Sequence, residues 1–273
     1  MELGAFIVLD SNLEEKFKNL TQMGLHTCQL HGVDVRDYTQ DNAMWIKSLA
    51  QKYNVKITAF WCGAALEGPC VWNSVEGPNT IGLVPAAYRY KRVENLLKGS
   101  DFAKAIGTQD IITHVGFLPE NPMTTEFQEL VSVLKYVAKY CKNNDQYFLF
   151  ETGQETPVTL RRTIEAIGTD NLGINLDPAN LILYGKGNPI DALSVFGEYV
   201  RGVHAKDGRY PTSGIELGRE MPLGEGSVDY PRFISKLKEI GYNGALTIER
   251  EITGEEQHKD IIKAKELLEA LLS

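Results

Sequence analysis

Short apolar runs alternate with longer amphipathic stretches along the whole chain. The runs at 4–9, 27–31, 56–61, 110–114, 147–151, 173–177, 200–204 and 245–249 have the length and β-branched or aromatic content of buried strands. Between them, apolar residues recur at i, i+3, i+4 and i+7. That spacing predicts helices over 13–23, 41–53, 87–106, 126–141, 158–167, 190–196, 230–240 and 257–272. Gly107, Gly168 and Gly241 follow three of these helices, where a left-handed C-terminal cap favours glycine. Two connections break the rhythm. Residues 62–85 are rich in Pro and Trp, residues 205–228 in Gly and charge, and both read as ordered lids.

Strands that alternate with helices imply βαβ crossovers and hence a parallel sheet. Eight such units in 273 residues predict an α/β fold of the (β/α)8 TIM-barrel type. A doubly wound open sheet is the alternative. It usually carries a glycine-rich phosphate turn after its first strand, whereas Leu9-Asp10-Ser11-Asn12 follows here, and no GxGxxG or GxxxxGK[ST] occurs. No linker composition interrupts the pattern, so residues 1–273 are expected to form one barrel domain.

Polar residues close the apolar runs of the second half. Glu151 ends FLFE, Asp177 ends GINLD, His204 ends VRGVH and Glu249 ends ALTIE, at intervals of 26, 27 and 45 residues. In a barrel these positions share the C-terminal mouth, where active sites form. Three carboxylates brought together repel one another unless a cation lies among them. The oxygen-rich set suits Mn²⁺, Mg²⁺ or Co²⁺; Zn²⁺ is possible but more often takes additional His or Cys ligands. Each residue alone has a plainer explanation. Glu249 could pair with Arg250, Asp177-Pro178 could start a turn and cap a helix, and His204 could be a satisfied core residue.

Further polar groups fall near the same mouth. His114 ends the fourth strand and His31, a weaker candidate, the second. Asp207 could orient His204 or touch a hydroxyl, and Lys206 and Arg209 flank it; Arg209 could grip an anion. Trp61 and Trp72 could stack on a sugar face. The net charge of −8 disfavours a nucleic-acid backbone as partner. No apolar run approaches the length of a membrane span, and the N-terminus lacks a signal-peptide pattern. Cys28, Cys62, Cys70 and Cys141 form no CxxC pair, which points to reduced thiols and a cytoplasmic location. A homo-oligomer formed through the helical faces is compatible with all of this.

The segments NLDPANLILYGKGNPIDAL, VHAKDGRYP, PLGEGSVDY and LKEIGYNGALTIERE resemble the xylose-isomerase-like TIM-barrel superfamily, in its sugar phosphate isomerase/epimerase branch. The resemblance covers essentially the whole chain. It implies that Glu151, Asp177, His204 and Glu249 bind one divalent ion, often Mn²⁺, and that Glu151 and Glu249 are also the catalytic acid/base pair. The chain departs from ketose 3-epimerase relatives where they carry His three residues after the metal Asp: here that position is Asn180. Gln154 and Glu155 stand where relatives use other polar pairs. Of the extra His ligands of trinuclear apurinic endonucleases, His114 is the only clear match: strand three ends in Ala59-Phe60-Trp61 and Asn180 stands at the strand-six position, so a trinuclear site is not expected.

The expected substrate is a small sugar, sugar phosphate or keto-polyol. The expected chemistry is isomerisation or epimerisation through a metal-bound enediolate, with His114, Asp207, Arg209, Trp61, Asn180, Glu155 and Lys206 as candidate substrate contacts. A lyase or dehydratase on the same site, or a sugar-binding barrel without catalysis, are the alternatives.

Overall fold

A computed structural model describes residues 1–62 and 68–273. Its strands are β1 (Glu2–Val8), β2 (Thr27–His31), β3 (Lys56–Trp61), β4 (Asp110–Thr113), β5 (Tyr147–Glu151), β6 (Leu172–Leu176), β7 (Val200–Ala205), β8 (Asp207–Arg209), β9 (Arg219–Met221) and β10 (Ala245–Ile248). The helices are α1 (Leu13–Gln22), α2 (Gln40–Tyr53), α3 (Ala86–Ile106), α4 (Thr125–Asn143), α5 (Pro157–Ile167), α6 (Pro178–Leu183), α7 (Pro189–Phe196), α8 (Tyr230–Glu239) and α9 (Glu255–Leu272). Strands β1 to β7 close with β10 into one parallel barrel, and β8–β9 form a separate antiparallel hairpin.

The eight expected strands are therefore the eight barrel strands, shifted by a residue or two at their ends. Two elements escape the periodicity argument. Helix α6 is one short turn-and-a-half, started by Asp177 and Pro178 within an apolar run. The β8–β9 hairpin lies inside the expected 205–228 connection, where charge and glycine hide any alternation. The three anticipated glycine caps hold: Gly107, Gly168 and Gly241 all have positive φ.

The main core lies between sheet and helices and gathers Leu30, Phe60, Phe148, Ile174, Val203 and Leu246 from the outward faces of the strands. Each such side chain contributes about 1.5–3 kcal/mol when fully buried. Inward positions alternate with these. Ala59, Trp61, Ile112 and Leu149 form a small second cluster inside the barrel. Above and beside it the interior turns polar, with Gln29, Asn175 and Thr247 all buried. An apolar barrel floor under a polar rim leaves the mouth as the place where ionisable groups converge.

Both long connections after barrel strands are fastened from below. The buried Arg92 guanidinium of α3 donates to the carbonyls of Thr80 (2.8 Å), Gly82 (2.7 Å) and Pro69 (3.0 Å) in the β3–α3 loop. The 63–67 part of the expected lid lies outside the described residues. All four cysteines are free thiols.

Candidate active site

Glu151 is the last residue of β5, Asp177 and Glu249 directly follow β6 and β10, and His204 lies one residue before the end of β7. These strands are consecutive around the barrel, so the four side chains meet. One ligand atom from each lies within 4.8 Å of every other. His204 Nδ1 is 2.9 Å from Glu249 Oε2, 3.2 Å from Glu151 Oε1 and 3.7 Å from Asp177 Oδ2. Yet His204 Nδ1, Asp177 Oδ2 and Glu249 Oε2 are buried without any well-directed hydrogen bond. Orphaned donor atoms of this kind, two carboxylate oxygens and an imidazole nitrogen converging on one point, fit a divalent cation.

Asp177 reconciles the two readings of its sequence. Its Oδ1 accepts the Asn180 N–H at 2.9 Å and caps α6, while Oδ2 faces the cluster. Arg250 does not neutralise Glu249. It turns away to Glu220 (2.8 Å) and Asp260 (2.8 Å). Lys206 takes that place instead. Its buried ammonium lies 3.3 Å from Glu249, 3.5 Å from Asp177, 3.4 Å from Asn180 Oδ1 and 2.7 Å from the exposed Glu251.

Electrostatics follow from this crowding. Burial alone would make the Glu151 carboxyl harder to ionise, but the neighbouring His114 and His204 outweigh it and hold it well below the usual carboxylate range. Burial likewise opposes charge on His204 and Lys206, and the Glu249 carboxylate leads the groups that keep both well above their ordinary values. Burial pushes His31 down to about 4, outweighing the upward pull of Glu151 and Glu249, so it is a neutral imidazole at the rim.

One wall of the mouth is aromatic. His31 packs edge-on against Trp61 at 4.5 Å, and His114 lies between Trp61 (5.6 Å) and Trp72 (5.2 Å). Trp61 is buried and gives its indole N–H to Glu151, so it orients that carboxylate rather than offering a face for stacking. Trp72 is the exposed ring. His114 Nε2 is 3.7 Å from Glu151 Oε2. Trp61, Trp72, His114, Glu151, Asn180 and Glu249 line a cavity of about 910 Å³.

Three expected contacts lie elsewhere. The Asp207 carboxylate neither orients His204 nor reaches the cavity. Its oxygens accept the N–H groups of Gly208, Gly224, Gly226 and Val228 at 2.8–3.0 Å, which fastens the loop after β7. Arg209 is exposed on the hairpin, donates to the Glu225 carbonyl, and is not among the cavity-lining residues. Glu155 is buried beside the start of α5, where burial pushes its carboxyl up to about 8, and it does not line the cavity. Gln29 and Asn175 join the buried interior as polar groups that the strand-end pattern does not single out. Their signal was a polar side chain at an inward position of an apolar strand.

A (β/α)8 barrel with a Glu-Asp-His-Glu cluster at its C-terminal mouth defines the class. The chain belongs to the xylose isomerase-like TIM-barrel family, whose profile matches residues 17–271. It is similar to the xylose isomerase domain protein from Planctomyces limnophilus. That structure shares 35% identity and a TM-score of 0.92, over 98% of this chain and 96% of that one. A D-tagatose 3-epimerase-like protein shares the fold, with a TM-score of 0.75 at 20% identity over 100% and 97% of the two chains. An uncharacterized protein from Methanocaldococcus jannaschii is 28% identical over 195 residues, 66% of this chain and 62% of that protein, so the match spans less than two thirds of this curated relative. No helix among the described residues is long and apolar enough to cross a membrane.

Proposed function

We propose that this protein is an isomerase or epimerase of a small, uncharged keto-sugar or keto-polyol. The observation that carries the reading is the convergence of Glu151 and Glu249 on His204 Nδ1 beside a cavity with an aromatic wall. Glu151, Asp177, His204 and Glu249 would hold a divalent ion, Mn²⁺ being the best match to the oxygen-rich set. When bound, such an ion polarises a substrate carbonyl and makes the adjoining C–H more acidic.

The protein's own groups divide the remaining work. Glu151 would remove a proton from the carbon beside the carbonyl. Glu249, on the far side of the four-residue set, is placed to return one. His114 and Asn180 are suited to bind substrate hydroxyls, and Trp72 to cover an apolar sugar face.

Charge argues against a phosphorylated substrate. The cations along the cavity and cluster are already engaged: Lys16 with Asp10 at 2.6 Å, Arg250 with Glu220 and Asp260, and Lys206 with the carboxylates. Residues 63–67 read GAALE and bring no Lys or Arg. Glu151, Glu249, Glu251 and Asp10 line the same space and would repel a phosphate.

The test is solvent deuterium exchange into a panel of neutral keto-sugars and their phosphates, with Mn²⁺-loaded protein. Exchange into a neutral member, with a new stereoisomer or aldose in the product, supports the reading. Loss of water after exchange would make the enzyme a lyase. No exchange into any member would overturn the proposal.

A further inference from the structure

Below the cluster, three buried side chains form a line across the barrel interior. His204 Nε2 is 2.7 Å from Gln29 Oε1, and Gln29 Nε2 donates to Asn175 Oδ1 at 2.8 Å. All three are essentially inaccessible to water. They come from β7, β2 and β6, and Gly202 of β7 makes the line possible. A Cβ at Gly202 would lie 2.3 Å from Asn175 Oδ1 and 3.3 Å from Gln29 Nε2, so any other residue would displace the amide pair.

This arrangement has a chemical consequence for His204. Once a cation takes the place of the second proton, the imidazole is neutral and carries one proton, and the hydrogen bond at one nitrogen decides which nitrogen is left bare. Asn175 Oδ1 takes the Gln29 NH₂ group, and Gln29 presents its carbonyl oxygen to Nε2. An acceptor there keeps the proton on Nε2. The lone pair is then on Nδ1, the nitrogen 2.9–3.7 Å from Glu249, Glu151 and Asp177. The reversed amide pair would do the opposite: it would place a donor at Nε2 and a proton on Nδ1, in the way of any cation.

We infer that Gln29 is a positioning residue that fixes His204 in the Nε2–H tautomer, with Asn175 as its hydrogen-bond partner and Gly202 leaving room for the pair. The inference rests on the reading that a cation sits among Glu151, Asp177, His204 and Glu249. Outer partners of metal-bound histidines typically change metal affinity by about 10–100-fold.

The experiment compares wild type, Gln29→Leu and Gln29→Glu by Mg²⁺ and Mn²⁺ titration calorimetry, with circular dichroism to verify folding. Alongside, ¹⁵N spectra of the histidine rings are recorded for the Mg²⁺-loaded wild type. The wild type should bind one ion and show His204 protonated at Nε2 and not at Nδ1. Gln29→Leu should lose about 10–100-fold in affinity. Gln29→Glu keeps an acceptor, and Asn175 can answer it with the Nδ2 group that now has no partner. It should stay within a few-fold of wild type. Wild-type binding with unaltered affinity in Gln29→Leu, or with the proton on Nδ1, would overturn the role of Gln29 alone. A wild type that takes up no ion would overturn both this inference and the functional reading beneath it.

Discussion

Ser74 donates its backbone N–H to the carbonyl of Ile215 at 2.9 Å, joining the loop after β3 to the β8–β9 turn across the barrel mouth. Both residues are exposed, and a single bond of this kind is worth about 0.5–1.5 kcal/mol. That is enough to bias loop closure several-fold. Ser74→Pro removes the donor. Steady-state kinetics should show KM raised several-fold with a smaller change in kcat; an unchanged KM would mean that the loops close without this bond.

Lys206 shares the cluster with three carboxylates and is fully buried there. In Lys206→Met the metal-free protein loses its only buried ammonium at that point, and leaving buried charges unpaired typically costs about 3–5 kcal/mol. A bound divalent ion compensates. Calorimetric melting with chelator and with excess Mn²⁺ should therefore show a wider gap in Tm for Lys206→Met than for wild type. Equal losses in both conditions would leave Lys206 with a packing role only.

Glu151→Gln and Glu249→Gln preserve shape and remove an ionisable group. Each should reduce turnover by at least about 10²–10⁴-fold, the usual weight of a general acid or base, with the far-ultraviolet dichroism unchanged. Metal content measured in parallel separates the two duties of these residues. Loss of turnover with the ion retained identifies the proton-transfer role, and retained turnover in either variant removes that residue from it.

Glu155 supplies a pH test. Its carboxyl is pushed up to about 8 by burial, from an ordinary value of 4.5. The folded state then holds the proton more tightly than the unfolded state. Its contribution is fully favourable below pH 4.5 and is lost progressively as pH rises to about 8. Glu155→Gln, which cannot ionise, should melt like wild type near pH 4.5 and gain a relative advantage that grows by about 1 kcal/mol per pH unit up to pH 8. A wild-type-to-variant difference that does not vary with pH would contradict this.

The fold was legible because its signal is periodic. Eight apolar runs and their amphipathic partners give the barrel without any knowledge of contacts, and an acid or imidazole at the end of four consecutive runs places four side chains at one mouth. What the sequence hid depends on where a side chain points and what it meets. Arg250 follows Glu249 in the chain, just past the end of β10, but its guanidinium is taken by Glu220 and Asp260, neither of which is its sequence neighbour. Asp207 has the residue type of a ligand, and only the folded loop reveals that four backbone N–H groups occupy it. Lys206 was placed near the substrate, whereas its main neighbours are the carboxylates themselves.

Arg92 and Asp207 hold their loops through backbone carbonyls and N–H groups. A clamp on the main chain is indifferent to which residues the clamped segment displays. Positions such as Trp72 can therefore be exchanged while the surrounding backbone keeps its course, and substrate preference becomes a property that can be altered by changing the loop's side chains without rebuilding the scaffold beneath.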